Sequence, residues 1–295
     1  MSRVLVTGSA GRLGRSVVVS LAQAGHEVIG VDTAPGSPRE AAAVLPADLT
    51  DLGEAHSVIA RFRPDAVVHL AAIAVPFSRS EATTFRVNTQ LAFNVCAAST
   101  ALGVGKLIIA SSPTVIGYGA PGGWTPAYLP LDEDHPAEPW NAYNLSKLVA
   151  EQTMRSFARA CPTTRMAAFR PCFVVAPEEW EGAPTQSGHT IAERLDRPEI
   201  GGVSLFNYLD ARDAGDFVDT LLARLPLLET NGEVFFAGAA DALAREPLAE
   251  LLPAAMPGTE GFADRLTGTA PAFSSAKAER LLGWTAKRSW RTELS

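Results

Sequence analysis

Three glycines, Gly8, Gly11 and Gly14, follow directly on a β-branched apolar run, Arg3 to Thr7 (RVLVT). Such a run reads as a strand buried on both faces. Behind the glycines, Leu13, Val17, Val18 and Leu21 recur at helical spacing from Arg12 to Ala24. Gly25 then stops the helix, and His26 to Val31 reads as a second strand. Strand, glycine turn, helix and strand in this order constrain the chain to an α/β unit with a ligand at the helix N-terminus. Gly8 permits the tight turn, Gly11 lets a backbone approach a pyrophosphate, and Gly14 lets the helix pack against the strand. The first turn, with Arg12 and Leu13, offers free N–H groups and a positive dipole end to phosphates. Asp32 ends the second strand, 18 residues after Gly14. Its carboxylate can accept hydrogen bonds from both hydroxyls of an adenosine ribose and repels a 2′-phosphate, so the expected dinucleotide is NAD rather than NADP. Arg39 is the nearby residue able to reach a 2′-phosphate.

The alternation continues. Val44 to Ala47, Ala66 to Leu70, Lys106 to Ser111 and Arg165 to Phe169 read as strands; Asp51 to Phe62, Glu81 to Leu102 and Ala142 to Ala160 read as helices. This predicts an α/β fold, a doubly wound parallel sheet of the Rossmann type with right-handed crossovers and a small C-terminal substrate lobe. Residues 1–175 form the expected NAD-binding domain. Residues 176–295 form a substrate cap and C-terminal lobe, with some strands and helices returning to the first domain. Two stretches break the alternation, Gly117 to Asn141 and Ala176 to Phe206; long irregular loops after sheet strands are usually functional. The last third is expected to hold helices around Asp213 to Leu225 and Ser274 to Leu282, and a strand at Glu233 to Phe236.

Composition excludes several classes. With a net charge of −7 and no basic run, nucleic acid and anionic membranes are not expected partners. No apolar span is long enough to cross a bilayer, and the chain opens straight into its first strand, which leads us to expect a cytoplasmic protein. Cys96, Cys161 and Cys172 match no zinc spacing and no full pairing, so no metal site is expected and the thiols read as reduced.

Tyr143 and Lys147 are four apart on a predicted helix and share a face. An ammonium near a phenol favours the phenolate and is expected to lower its pKa. Such a tyrosine can exchange a proton with a hydroxyl or carbonyl while hydride moves to or from a nicotinamide. Lys147 can also hold the nicotinamide ribose. Ser112, at the end of the predicted strand through Ser111, can bond the same substrate oxygen, with Thr114 as a secondary candidate. His69, on a buried strand, reads as a satisfied core histidine. Trp124, Tyr128 and Trp140 read equally as pocket lining and as packing anchors of the 117–141 stretch, and His189 as a second acid/base or a solvated loop residue.

At this point the chain resembles the extended short-chain dehydrogenase/reductase family, specifically the NAD-dependent epimerase/dehydratase group. The resemblance rests on Thr7 to Gly14, Asp32, Asp48-Leu49, His69 to Ala72, Asn88, Ser111-Ser112, Tyr143 with Lys147, and Arg170-Pro171, and covers nearly the whole chain. It implies that Asp48 and Leu49 meet the adenine, and that Leu70, Ala71, Ala72 and Ala74 line the diphosphate–ribose path. Asn88 would support geometry near the nicotinamide, with Pro171 and Cys172 flanking its ring. It also implies a homodimer in which the helices from Glu81 and Ala142 pair across a two-fold axis as a four-helix bundle.

Departures from the family pattern narrow the reading. Pro113-Thr114 follows Ser112, where the resembled dehydratases carry an acidic pair and the reductive epimerases a cysteine. The segment from Arg170 to Tyr208 is also short beside that of sugar-nucleotide members. The sequence therefore favours an NAD-dependent oxidoreductase acting on a small sugar, sugar acid or polyol. The alternative is an NAD-retaining sugar-nucleotide epimerase, and outside enzymes a dinucleotide-binding redox sensor.

Overall fold

The glycine turn sits between its strand and its helix. The computed structural model describes residues 1–34, 36 and 38–294. Strand β1 (Arg3–Thr7), helix α1 (Arg12–Gln23) and strand β2 (Glu27–Asp32) lead into β3 (Ala43–Pro46), α2 (Leu52–Phe62), β4 (Ala66–His69) and α3 (Glu81–Ala101). Then come β5 (Lys106–Ala110), α4 (Ala142–Ala160) and β6 (Arg165–Pro171). Beyond β6 lie β7 (Val174–Val175), α5 (Pro177–Trp180), α6 (Ile191–Asp196), α7 (Pro198–Gly202), β8 (Leu209–Asp210) and α8 (Ala211–Arg224). The chain closes with β9 (Glu233–Ala237), α9 (Leu248–Ala255), α10 (Glu260–Ala263), α11 (Ala276–Leu282) and α12 (Trp290–Glu293).

Seven strands form one parallel sheet in the order β3-β2-β1-β4-β5-β6-β9. The chain runs outward from β1 to β3 and then returns to β4 on the other side of β1. That reversal opens a crevice at the carboxyl ends of β1 and β4, where ligands bind in open α/β sheets. Side chains of β1 alternate between two layers: Val4 and Val6 pack with Val17, Val18 and Leu21, while Leu5 packs with Ile29, Val58 and Val67. Each such buried aliphatic side chain contributes roughly 1.5–3 kcal/mol. Helix α1 packs on α8, and α3 on α4. No helix among the described residues is long and apolar enough to cross a membrane.

The region past β6 differs from its sequence reading. The 176–206 stretch, expected to be irregular, folds into α5, α6 and α7 around a small cluster that includes Trp180, Ile191, Leu195, Tyr208 and Trp290. Helix α6 starts on a reciprocal cap: Thr190 Oγ1 accepts from the Glu193 N–H at 3.1 Å, and Glu193 Oε2 accepts from the Thr190 N–H at 2.7 Å. Helices α9, α10 and α12 are additional to the sequence reading. The 117–141 stretch stays without helix or strand after an opening 3₁₀ turn (Pro113–Ile116), and Leu131 ties it to Phe273 by a parallel bridge.

His69 closes β4 against β1. The Thr7 Oγ1 accepts the N–H groups of Leu70 and Ala71, both at 3.2 Å, so its own proton goes to His69 Nδ1 at 2.7 Å. Burial, with the Lys147 charge nearby, pulls His69 down to about 3. The unfolded chain then binds a proton between about pH 6.5 and 3 that the folded chain refuses, so stability is full above pH 6.5 and falls with acid. We expect His69 to cost about 2 kcal/mol between pH 6.5 and 5. Urea unfolding at both pH values checks this; a His69→Gln variant with the same acid sensitivity as the parent would sink it.

Candidate active site

The glycine turn is closed on itself. The Gly11 N–H donates to the Gly8 carbonyl at 3.1 Å, and Gly8 takes φ +70°. A Cβ on Gly8 would lie 2.7 Å from the Ala71 backbone nitrogen, and one on Gly14 would overlap the Gly8 carbonyl. Gly11 caps α1 with no side-chain bond, leaving first-turn N–H groups for a ligand. Asp32 is oriented from both sides: Oδ2 accepts from the Ala10 N–H and Oδ1 from the Ala34 N–H, each at 3.0 Å.

A cleft of about 710 Å³ starts here. Gly8, Gly11, Arg12, Leu13 and Gly14 line its floor, and Asp32, Asp48 and Leu49 one end. Leu70, Ala71, Ala72 and Ala74 line its middle; Ser111, Ser112, Tyr143, Lys147, Pro171 and Cys172 line the far part. Arg39 is exposed and outside the lining. Asn88 also lies outside it and works from behind: Oδ1 accepts from the Ile73 N–H at 2.8 Å, and Nδ2 donates to Ser146 Oγ at 3.1 Å. Arg12 forms an ion pair with the buried Glu179 of α5, which straps the cap segment to α1.

Helix α4 starts at Asn141, whose Oδ1 accepts from the Asn144 N–H at 2.9 Å. The four-residue spacing then stacks Lys147 over the Tyr143 ring, with Nζ 5.8 Å from its centroid. Lys147 Nζ donates to the Ala110 carbonyl at the end of β5 at 3.0 Å. Just beyond, Ser112 Oγ shares a 2.9 Å hydrogen bond with Thr114 Oγ1. Burial raises the Tyr143 pKa, opposed by a hydrogen bond from Ser112. This corrects the sequence expectation of a lowered pKa: Lys147 Nζ donates to the Ala110 carbonyl, and burial sets the direction at Tyr143. Lys147 itself is pulled down to about 8 by burial, with Glu151 opposing.

Glu151 was not singled out from sequence, although it continues the Tyr143–Lys147 spacing by another four residues. It is fully buried. Its Oε1 accepts from Ser111 Oγ at 2.6 Å and Arg170 Nε at 2.8 Å, and its Oε2 from an Arg170 terminal nitrogen at 2.9 Å. The Ser111 hydroxyl therefore points to Glu151.

The substrate end departs most from the sequence reading. Thr114 lines the cleft, whereas Trp124, Trp140 and His189 do not. Trp140 donates Nε1 to the Tyr118 carbonyl at 3.2 Å and packs on Phe77. Trp124 packs against Tyr118 and His135. The His189 carbonyl accepts from the Thr185 N–H at 2.8 Å, closing a turn ahead of α6. The two tryptophans are packing anchors of the cap. The cleft wall is made instead by Tyr118, Phe173, Gln186, Arg194, Val203 and Ser204. The sequence reading missed these residues; the one local signal that could have pointed to the helix carrying Arg194 is Thr190-x-x-Glu193, a capping pattern.

Residues 4–235 match the NAD dependent epimerase/dehydratase family. The chain belongs to that family. It is thus an extended short-chain dehydrogenase/reductase, a member of an NAD-dependent enzyme family, and the glycine cradle with the oriented Asp32 carboxylate fits that cofactor. The UDP-glucose 4-epimerase of Bacillus subtilis is 28% identical over 345 aligned positions, covering 99% of this chain and 97% of that enzyme. The Azospirillum brasilense UDP-glucose 4-epimerase is 36% identical over 164 residues, 54% of this chain, and the match spans only about half of that enzyme, 45%. Among solved structures, an Agrobacterium tumefaciens short-chain dehydrogenase/reductase superfamily protein with bound NAD superposes with a TM-score of 0.72 at 24% identity, covering 99% of this chain and 94% of that one. The Brucella ovis UDP-glucose 4-epimerase in complex with NAD gives 0.73 at 19% identity, covering 100% and 96%. At these identities the structural likeness is one of fold.

The Glu151–Arg170 pair yields a stability prediction. Glu151→Gln keeps the shape but leaves a buried guanidinium without its counter-charge, which costs about 3–5 kcal/mol. Urea denaturation of the variant checks it; an unchanged midpoint would mean that the pair does not hold this end of α4.

Proposed function

We propose that this family member is an epimerase that retains NAD and inverts a carbinol centre of a sugar nucleotide, with Tyr143 as acid and base. The observation that carries the proposal is that α4 presents Tyr143 and Lys147, beside Ser112, into the same cleft that the glycine turn opens. That arrangement serves a small-sugar dehydrogenase equally, the reading the sequence favoured. The full-length resemblance to a UDP-glucose 4-epimerase supports the epimerase.

In this proposal the glycine turn and the start of α1 hold the cofactor's diphosphate, Asp32 its adenosine ribose and Lys147 its nicotinamide ribose. Asp48 and Leu49 meet the adenine, and Pro171 and Cys172 flank the nicotinamide. NAD, when bound, supplies a reversible acceptor for the hydride of the carbinol carbon. Tyr143 Oη takes the hydroxyl proton as that carbon is oxidised and returns it when the opposite face is reduced. Ser112 Oγ bonds the same oxygen in both states, with Thr114 Oγ1 fixing the Ser112 rotamer. Pro113 leaves no acid beside Ser112 to expel water, which argues against a dehydratase.

A second reading, a dehydrogenase on a small free sugar acid or polyol, is favoured by one observation. The B. subtilis alignment is longer than the 295 residues of this chain, so the relative carries segments that this chain lacks. The unpaired thiols of Cys96, Cys161 and Cys172 suit a cytosolic setting for either reading.

The test is interconversion of UDP-glucose and UDP-galactose without net change in NADH absorbance. Tyr143→Phe should lower turnover by ~10²-fold or more while NAD affinity changes little. Lys147→Ala should damage both. Near-normal turnover in a folded Tyr143→Phe variant would refute the assignment, and stoichiometric NADH formation would select the dehydrogenase.

We further propose a homodimer through α3 and α4. Leu91, Val95 and Met154 are buried inside the protomer, which leaves Phe93, 51% exposed and edge-on to Phe157, and Leu145, with the half-buried Leu148, Val149 and Phe157, as the apolar surface on offer. Light scattering should give a dimer mass at micromolar concentration, and Phe93→Asp should shift it towards monomer; a monomeric parent would refute the arrangement.

A further inference from the structure

Two arginines of this protein are almost equally buried and stand in opposite electrostatic situations. Arg170, 4% exposed, is neutralised by Glu151. Arg194, 3% exposed, forms no ion pair with any acidic side chain among the described residues. One terminal nitrogen donates to Ser204 Oγ at 2.8 Å, and the guanidinium carbon lies 4.4 Å from the Phe173 ring centroid. Its Nε is buried without a hydrogen-bond partner. Arg194, Ser204 and Phe173 all line the cleft that contains Tyr143.

We propose that Arg194 is the anion receptor of the substrate pocket, so that the substrate carries a carboxylate or phosphate group apart from its reacting carbon. The inference rests on the reading of this cleft as the site where Tyr143 works. A buried guanidinium without a counter-charge is unfavourable unless something else completes it. Here the missing partner is two anionic oxygens, which a planar guanidinium binds through parallel N–H donors. Burial lowers Arg194 only to about 10, so it is cationic at neutral pH. Its surroundings hold it in place. The Thr190–Glu193 cap fixes the first turn of α6. Ser204 Oγ donates to the Gly201 carbonyl at 3.0 Å, which leaves its lone pairs towards Arg194. Leu205 and Phe206 follow with φ of 53° and 55°, a conformation that non-glycine residues adopt only under constraint. Phe173 covers one face of the guanidinium, so the open donors lie in its plane. A phosphate of a sugar nucleotide and the carboxylate of a sugar acid share this chemistry.

The experiment titrates NAD-loaded protein with UDP, D-glucuronate and neutral D-glucose by calorimetry, for the parent, Arg194→Met and Arg194→Lys. At least one anion should bind more tightly than glucose, and Arg194→Met should weaken it about 10- to 100-fold while NAD affinity is unchanged. Arg194→Lys should recover only part, because a point charge lacks the planar donor pair. Removing an unneutralised buried charge should leave the thermal midpoint of Arg194→Met equal or higher, whereas a structural arginine would lower it. If Arg194→Met does not fold, the structural role is the correct one and the proposal falls. It falls equally if both anions bind parent and variant alike, or if neither outbinds glucose. Binding of UDP supports the sugar-nucleotide reading as well; binding of glucuronate alone upholds Arg194 and rejects the sugar nucleotide in favour of a sugar acid.

Discussion

The end of the cleft lined by Ser112, Tyr143 and Lys147 depends on one buried ion pair, Glu151 with Arg170. Glu151 lies two turns beyond Tyr143 and one beyond Lys147 on α4, and Arg170 directly precedes Pro171 and Cys172 on β6. The same carboxylate accepts from Ser111, the neighbour of Ser112 at the end of β5. A single acceptor thereby sets three elements relative to each other: the helix that carries Tyr143 and Lys147, the end of β5 beside Ser112, and the end of β6 before Pro171 and Cys172. Burying both charges costs several kcal/mol per ion before their attraction is counted. Its worth here lies in position, because proton transfer needs donor and acceptor within hydrogen-bond reach.

The pair also explains the state of Lys147. Burial drives the lysine towards its neutral form, and the acid opposing this is Glu151, whose oxygens already face Arg170 and Ser111. Lys147 instead donates to the Ala110 carbonyl. The phenol of Tyr143 meanwhile is raised by its own burial. In the proposed assignment of Lys147 to the nicotinamide ribose, the ribose hydroxyls would give the charged lysine further partners.

What was legible in the sequence was what is local. The strand-turn-helix of Gly8 to Gly14 and the alternation through β6 follow from period and turn chemistry within a few residues. The span read for α4, Ala142 to Ala160, agrees at both ends, because Asn141 caps it and Cys161-Pro162 ends it. What was not legible depends on contacts far along the chain. Trp124 and Trp140 carry no mark in sequence of the side they face, and in the fold they pack against Tyr118, His135 and Phe77 instead of the cleft. Helices α5 to α7 are too short to show a period. Arg194 looks like any surface arginine until the fold shows that no acidic side chain among the described residues pairs with it, since its meaning lies in the partner proposed for it.

That missing partner bears on how a chain of net charge −7 attracts anionic ligands. The long-range field opposes a dinucleotide and an acidic substrate alike, but at physiological ionic strength it decays over about 8 Å. Attraction must therefore be built from fixed groups within a few ångströms of the bound atoms. At the proposed diphosphate end the donors would be the free N–H groups of α1, with Arg12 engaged by Glu179. At the substrate end the corresponding group is Arg194, uncompensated and screened from water by Phe173 and Ser204. A low-dielectric setting makes one such charge worth far more than the same charge on the surface. The overall acidity then works as a filter: an anion gains nothing from approaching the protein at large and binds only where its charged oxygens meet these fixed donors.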